Sequence, residues 1–519
     1  MASSIDTETP VAAATPEVAE STAVPPKSDA PVTASAGRDE NPHDAKKLAP
    51  KHRNVIAVLM VAAFTVILNE TVMSVAIPVL QEEFGVTPST GQWLTTVFML
   101  TMAVVIPITG FLIQRVSTRM LFVSAMSLFA LGTLAAALAP TFSVLLVGRV
   151  IQASGTAIMM PLLMTTVMTL VPPARRGLMM GNISIVISVA PALGPTMSGF
   201  IIDQWGWRWI FGVVLPIALA TLALGAKWMV QVSAQTKARI DVLSIPLAIL
   251  GFGGLVYGLA SIGEAAEGGG VIPVWVLFTV GGVFLALFLG RQLLLQRKDR
   301  ALLDLRVFGS PIFSVAMGSM LIATMTMFGT FILLPFFAQR ALGLGPLETG
   351  LITLPGGLLM GLASPFIGRI YDARGPKLLL LPGALLISSA LWLLAFSVST
   401  TTPVWLLVVA NIALSVGLAA TFTPLMTSGL GSVRPHLYSH GSAVLSTFQQ
   451  VAAAAGTALF VTVMAIGAAA SGADPEAAEA TVSGVHTAFL VGGFMSLALI
   501  VAVLFVKKPA DAPEGFAGH

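Results

Sequence analysis

The sequence predicts an all-α polytopic membrane protein, two six-helix bundles with two further helices inserted between them. Three observations carry that expectation. Of the 519 residues, 56% are hydrophobic and only 10% charged, against roughly 25% charged in soluble domains. Apolar runs of about 20 residues, long enough to cross a bilayer, recur along the chain. Basic residues collect in alternate joints between those runs, the pattern of loops retained on the cytoplasmic side.

Residues 1 to about 50 are rich in Ala, Pro, Thr, Ser and Glu with no apolar core, so they read as a disordered tail and not as a cleaved signal peptide. The end of the tail turns basic at Lys46, Lys47, Lys51 and Arg53, which fixes an inside start. Spans follow near 55–80, 91–113, 119–139, 142–168, 178–202, 208–230, 242–263 and 271–291. The second series lies near 310–335, 346–368, 378–398, 403–425, 442–467 and 485–506, fourteen spans in all. The implied divisions are a tail over 1–50, a bundle over 51–230, an inserted pair and linker over 231–300, a bundle over 301–508 and a tail over 509–519.

Loop charges test the count. The inner joints hold Arg115 and Arg119; Arg175 and Arg176; Lys237 and Arg239; Arg291, Arg297, Lys298, Arg300 and Arg306; Arg369, Arg374 and Lys377; then Arg434, with Lys507 and Lys508 closing the chain inside. Outer joints hold acids: Glu82 and Glu83, Asp203, Glu264 and Glu267, then Asp474, Glu476 and Glu479. Only Arg208 and Arg340 run against the rule, and dropping one span would reverse every joint downstream.

Several classes are excluded. There is no cysteine, so disulfides and thiolate metal sites are absent. The net charge of +3 is spread between apolar runs, which leaves no nucleic-acid patch. No nucleotide-binding fingerprint, large soluble domain or set of filter loops occurs, so the chain reads as a transporter driven by a gradient and not as an enzyme or channel. No cofactor is expected, and the histidines His436 and His440 lack a third metal ligand nearby. GFGG at 251–254 lies within a span, where glycine permits close helix packing.

Two joints resemble each other. One is Gly110-Phe-Leu-Ile-Gln-Arg115-Val-Ser-Thr-Arg119, and the other is Gly368-Arg369-Ile-Tyr-Asp372-Ala-Arg374-Gly375-Pro-Lys377. Both start on glycine and turn basic, at corresponding places in the two series, which implies an internal repeat of six helices.

The residues that stand out are polar ones inside spans. Glu70 lies within an apolar run, flanked by Asn69 and Thr71. An intramembrane carboxylate is costly and marks a functional site by default, although a place near the outer interface would make it only a solvated or structural group. Arg149 opens Arg149-Val-Ile-Gln152-Ala-Ser-Gly155 in the fourth span. It is either a partner for Glu70 across the bundle or a side chain snorkelling to the interface. Gln152 shares its face. In the fifth span, Ser188-Val-Ala-Pro191-Ala-Leu-Gly194-Pro195-Thr-Met-Ser198-Gly199 combines kinking prolines with small residues at 190, 194 and 198, read either as a bend in a moving helix or as an ordinary kinked core helix. Trp205, Trp207 and Trp209 suggest an outer aromatic belt. Met159, Met160, Met164 and Phe331 are candidates for an adaptable cavity lining.

These motifs resemble the major facilitator superfamily, and within it the fourteen-span drug:proton antiporters, the N-terminal half being most similar to lincomycin-resistance-type efflux proteins. The resemblance covers residues 50–508. Leu68 to Pro78 is similar to the first-helix motif of that group, with Asn69 where much of the group has aspartate and the acid one position later at Glu70. Gly110, Arg115 and Arg119 are similar to the loop motif that braces the cytoplasmic side, with Gln114 replacing its usual acid. The second copy, with Gly368, Arg369 and Arg374, keeps Asp372. Arg149, Gln152 and Gly155 match the fourth-helix motif associated with proton coupling. Pro191, Gly194, Pro195 and Gly199 match the fifth-helix motif of exporters, with Ser198 for a usual glycine.

The resemblance implies an alternating-access antiporter in a bacterial cytoplasmic membrane, both termini cytoplasmic, acting as a monomer. Small amphiphilic molecules and protons are its implied partners, alongside the lipid bilayer, and Glu70 is the implied proton carrier. A transporter of one specific metabolite or lipid and a non-transporting sensor stand as alternatives.

Overall fold

The computed structural model describes residues 50–232, 241–266, 272–472, 474 and 477–507, except for the side chains at 74–75, 88–89, 192, 195, 263–266 and 346–347. The tail over 1–49, Lys237, Arg239, the turn at Glu267, Glu476 and Lys508 therefore lie outside the described residues.

Hydrocarbon offers no partner for a peptide group, so each apolar run folds into a helix that bonds its own backbone. The N-terminal helices are α1 (Pro50–Phe84), α2 (Pro88–Arg115), α3 (Thr118–Ala137), α4 (Phe142–Leu170), α5 (Arg176–Trp205) and α6 (Arg208–Trp228). The inserted pair is α7 (Ser244–Ala266) and α8 (Val274–Leu295). The second series is α9 (Pro311–Arg340), α10 (Pro346–Arg374), α11 (Lys377–Ser397), α12 (Val404–Gly431), α13 (Tyr438–Ala470) and α14 (Ala478–Val503). Helix starts are set by hydroxyl side chains: Thr87, Ser117, Thr141 and Ser310 each accept a hydrogen bond from a backbone N–H in the first turn.

Among the described residues, 13 helices are long and apolar enough to cross a membrane, and bent α5 brings the number to 14. That helix turns by 43° between Pro173–Pro191 and Thr196–Trp205. Prolines 191 and 195 lie at or within the break, where each lacks the N–H that would continue the ladder.

Packing within the two series follows one plan. In the first, α3 packs on α4, α2 on α4, α1 on α5, α3 on α6 and α1 on α6. Adding eight to each number gives the contacts of the second: α11 on α12, α10 on α12, α9 on α13, α11 on α14 and α9 on α14. The halves meet chiefly through α5 against α10 and α2 against α13. This repetition is the internal duplication that the two similar loops suggest.

The inserted pair forms a hairpin beside α2 and α13. The glycines of 251–254 bring its helices together, since a Cβ at Gly251 would stand 2.8 Å from Leu285 N and one at Gly254 2.9 Å from Gly281 Cα. Its base is pinned where Asp241 receives Arg291 Nε (2.6 Å) and Nη2 (2.7 Å). That bidentate pair holds the Asp241 carboxyl down at about 2. Gln292 then donates to Ser244 Oγ (2.9 Å) and accepts from Leu302 N–H (2.8 Å), tying the hairpin to the segment that leads into α9.

Two sequence expectations need correction, and one exception finds a cause. Trp207 is no membrane-surface belt residue: it is buried and donates its indole N–H to Glu83, while Trp205 and Trp209 remain exposed. Met159 and Met164 are fully buried in the apolar core, so of the proposed lining residues only Met160 and Phe331 keep accessible surface. Arg208, an exception to the charge rule, has a local cause: Nη1 meets Glu83 Oε1 at 2.7 Å. This bond holds the Glu83 carboxyl below its ordinary range.

Candidate functional site

The site grows from the contact of α3 with α4. Gly132 lies so near α4 that a Cβ there would stand 2.4 Å from Gln152 N, and one at Gly155 would stand 2.3 Å from Ala125 O. Backbones this close bring the polar side chains of the two helices into reach. Arg149 Nη1 donates to Gln152 Oε1 (2.8 Å), Gln152 Nε2 donates to Thr133 Oγ1 (2.8 Å), and the Thr133 hydroxyl donates to Phe129 O (2.6 Å). From α2, Leu94 O accepts Arg149 Nε (3.4 Å), and the Phe98 ring lies 4.0 Å from the guanidinium carbon. Arg149 is 1% exposed, so snorkelling to the interface does not explain it. The guanidinium is held inside the first bundle by a carbonyl, an amide and an aromatic face.

Glu70 on α1 is half-buried, and its charge interacts with that of Arg149 without a direct ion pair between them. Its neighbours have distinct environments. Asn69 is buried, and both polar atoms of its amide lack a hydrogen-bond partner among the described residues. The Thr71 hydroxyl donates within α1 to Leu68 O (3.0 Å) and reaches Ala190 O of α5 at 3.4 Å. Bent α5 is pressed against this point: a Cβ on Gly194 would stand 2.2 Å from Thr71 Oγ1. The fifth-helix motif therefore touches the first-helix motif one residue beyond Glu70. Pro191 is half-buried in the same helix, only the backbone of Pro195 is described, and Gly199 has open space where a Cβ would project.

The glycine-started loops meet the opposite half at the end of the molecule that carries the basic residues. The Asp372 carboxylate accepts from Gly177 N–H (2.7 Å) and Leu178 N–H (2.8 Å), which belong to the first turn of α5. The N-cap of α5, Arg175, makes no side-chain cap bond of its own. An acid from α10 thus satisfies the free donors of a helix in the other bundle. Gly368 permits the approach, since a Cβ there would stand 2.2 Å from Gly177 O. In the first half, Gln114 Nε2 donates to His436 O just before α13 (2.8 Å), and Gly110 packs against His440 and Ala443. Between these contacts Arg176 Nη1 meets Tyr438 OH (3.3 Å), and Ser184 bonds Thr423 (3.0 Å). Arg115, Arg119, Arg369 and Arg374 are exposed around this seal.

The structure brings Glu70, Thr71, Arg149, Gln152 and Gly194 into one region of the first bundle, and places the loop residues in a separate seal between the bundles. Sequence reasoning missed Thr133, Phe98 and Tyr438. Gly148, Gln152 and Gly155 share a helical face through their spacing of four and three, and that face is what marks α3 as the partner of α4. Far from the basic end, one buried cluster that includes Leu68, Met73, Leu145, Ala190 and Phe211 is drawn from α1–α6 and the joints between them. The larger cluster unites residues of both halves.

Comparison with known proteins gives a consistent family. Residues 59–457 match the family model described as Major Facilitator Superfamily. The lincomycin resistance protein LmrB of Listeria monocytogenes is 40% identical over 460 residues, spanning 88% of this chain and 96% of the relative. A multidrug resistance protein B homolog of Mycobacterium tuberculosis is 30% identical over 447 residues, 84% of this chain and 81% of the relative. Among solved structures, the human organic anion transporter MFSD10 (TETRAN) superposes with a TM-score of 0.60 at 15% identity, covering 88% of this chain and all of that one. The proton:xylose symporter XylE superposes with a TM-score of 0.61 at 14% identity, covering 88% and 96%. These two likenesses are of fold.

Proposed function

This chain belongs to the major facilitator superfamily, and on that premise we propose that it exports small amphiphilic compounds, drugs among them, in exchange for protons. It is a multi-pass membrane transporter related to lincomycin and multidrug resistance proteins. The observation that carries the finer reading is the placement of Glu70: accessible in part, under the charge of a buried and fully braced Arg149, and next to the point where bent α5 packs on α1.

A carboxyl group in that position changes charge when it takes or gives up a proton. Arg149 cannot follow, because arginine stays protonated and its guanidinium is fixed by Gln152, Leu94 and Phe98. Protonation of Glu70 therefore alters the force between α1 and α4 while the rest of the network keeps its form. The change arises beside Thr71 and Gly194, where α1 contacts the bent helix that also forms the main seam with α10. A local charge change thereby reaches the interface between the halves.

The basic end is assigned to the cytoplasm, with both termini there, in a bacterial cytoplasmic membrane. The seal of Asp372 on α5 and Gln114 on the entry to α13 closes that side, and the protein acts as a monomer. Glu70 takes a proton from outside in the outward-facing state, and the inward-facing state returns it as a compound is bound for export.

Purified protein in liposomes with an imposed pH gradient tests the reading. Accumulation of lincosamides or amphiphilic dyes, with proton movement in the opposite sense, is the expected result. Transport that persists unchanged when the gradient is collapsed would overturn the coupling.

A further inference from the structure

At the basic end, on the seam between the two halves, lies an open cavity of about 340 Å³ lined by Ala174, Arg175, Leu178, Arg369, Asp372 and Ala373. The two arginines come from opposite halves, Arg175 from the residue preceding α5 and Arg369 from α10. Both are exposed, and among the described residues neither takes part in an ion pair. Arg369 does stack by the Phe366 ring, 5.7 Å from its centroid. The single acid of the lining, Asp372, is engaged by two backbone N–H groups of α5. The lining thus carries two cations against one anion whose charge is already met by hydrogen bonds.

The second feature is what stands beside the cavity. Leu362, Phe366 and Ile370 are spaced by four along α10, so they form one face of that helix. They are 65%, 61% and 39% exposed, which makes that face lipid-facing on a helix of membrane-spanning length. Arg369 lies at the basic-end limit of the same region. An apolar strip that runs to a cavity with two guanidinium groups outside any ion pair among the described residues has the form of an amphiphile site, an acyl chain above and an anionic headgroup below. Guanidinium groups match phosphate oxygens in planar, forked geometry, and basic pockets between spanning helices select phosphorylated headgroups.

We propose that this cavity binds the phosphate headgroup of an anionic phospholipid, with an acyl chain lying along Leu362, Phe366 and Ile370. Since Arg175 and Arg369 belong to different halves, the bound phosphate bridges them and adds to the seal that Asp372 makes with α5. The lipid acts as a ligand of the closed basic end and not merely as solvent.

The test uses full-length protein in detergent, with the thermal unfolding midpoint followed as phosphatidylglycerol is added. The midpoint is expected to rise in a saturable way. The double variant Arg175→Gln, Arg369→Gln should need roughly thirtyfold more lipid for the same rise, at about 1 kcal/mol for each of the two basic contacts near a membrane surface. Arg297→Gln, a change at an exposed basic residue away from the cavity, should respond as the wild type does. The proposal is overturned by a flat response to phosphatidylglycerol, or by an equal rise with phosphatidylcholine or phosphatidylethanolamine. It is likewise overturned if inorganic phosphate alone reproduces the rise, or if the double variant responds like the wild type.

Discussion

Asp372, near the end of α10, caps Gly177 in the first turn of α5, although the two residues belong to different bundles. Helix caps are normally local, supplied by the residue just before the helix. Here the cap exists only while the halves touch, so the stability of one helix end is tied to the closure of the basic end. Loss of a capping acceptor costs about 1 kcal/mol. Asp372→Ala should therefore shift the equilibrium toward opening at that end by roughly fivefold. The chain has no cysteine, so Ser184→Cys gives a single reporter within the seal. Its labelling by a water-soluble maleimide should accelerate in the Asp372→Ala background, and an unchanged rate would count against the cap as a gate.

Replacement of Glu70 by Gln keeps the size of the side chain and removes its titration. Proton-driven accumulation in liposomes should disappear, while exchange of labelled for unlabelled compound without a gradient should persist. Full proton-driven flux in the variant would remove Glu70 from the coupling.

Arg149→Lys retains the charge but loses the fork that reaches Leu94 O and Gln152 Oε1 together, and the flat face over Phe98. A lysine there leaves a buried amide or carbonyl without its partner, at about 1–3 kcal/mol. The expected outcome is a lower unfolding temperature together with transport reduced at least tenfold. Wild-type values for both would mean that the network does not depend on guanidinium geometry.

Gly194→Ala places a methyl group 2.2 Å from Thr71 Oγ1. Overpacking of this kind costs typically about 1–3 kcal/mol. The variant should lose stability and transport, with partial recovery on adding Thr71→Ala, which removes the nearest atom. Gly199→Ala in the same motif meets nothing within 4 Å and should leave the unfolding temperature unchanged.

The Asp241–Arg291 pair predicts a pH dependence. The folded Asp241 carboxyl is held at about 2, below its ordinary value near 3.9. Its contribution to stability is thus fully present above about pH 4 and is lost as pH falls toward 2, amounting to about 2 kcal/mol at most. Asp241→Asn should unfold more easily than wild type at pH 7, and the difference should shrink between pH 4 and 2. A gap that stays constant over that interval would contradict the pairing.

The architecture was largely legible because hydrophobic runs, alternating loop charge and the repeated glycine-started joint all depend on residue type alone. The same holds for Glu70, Arg149 and Gln152, since a polar side chain in an apolar helix declares itself. What stayed hidden was pairing across helices. Nothing in the spacing of α3 says that Thr133 closes the Gln152 network, or that Phe98 of α2 lies under the guanidinium. Met159 and Met164 were misassigned for a related reason. A spanning helix is apolar on its lipid face and on its core face alike, so composition does not separate the two. Trp207 was misread because an aromatic at a membrane boundary looks the same whether it faces lipid or is buried and donates to an acid such as Glu83.

Two of the fastenings at the basic end, those of Asp372 and Gln114, differ in chemical kind. One joins a carboxylate to the positive end of a helix, and the other joins a neutral amide to a peptide carbonyl. Ionic strength and acidity act on the first and scarcely touch the second. A duplicated fold has thus become lopsided in its response, so that the two seams of a nearly symmetric molecule need not part together, and the chemistry of the surrounding medium chooses which one yields first.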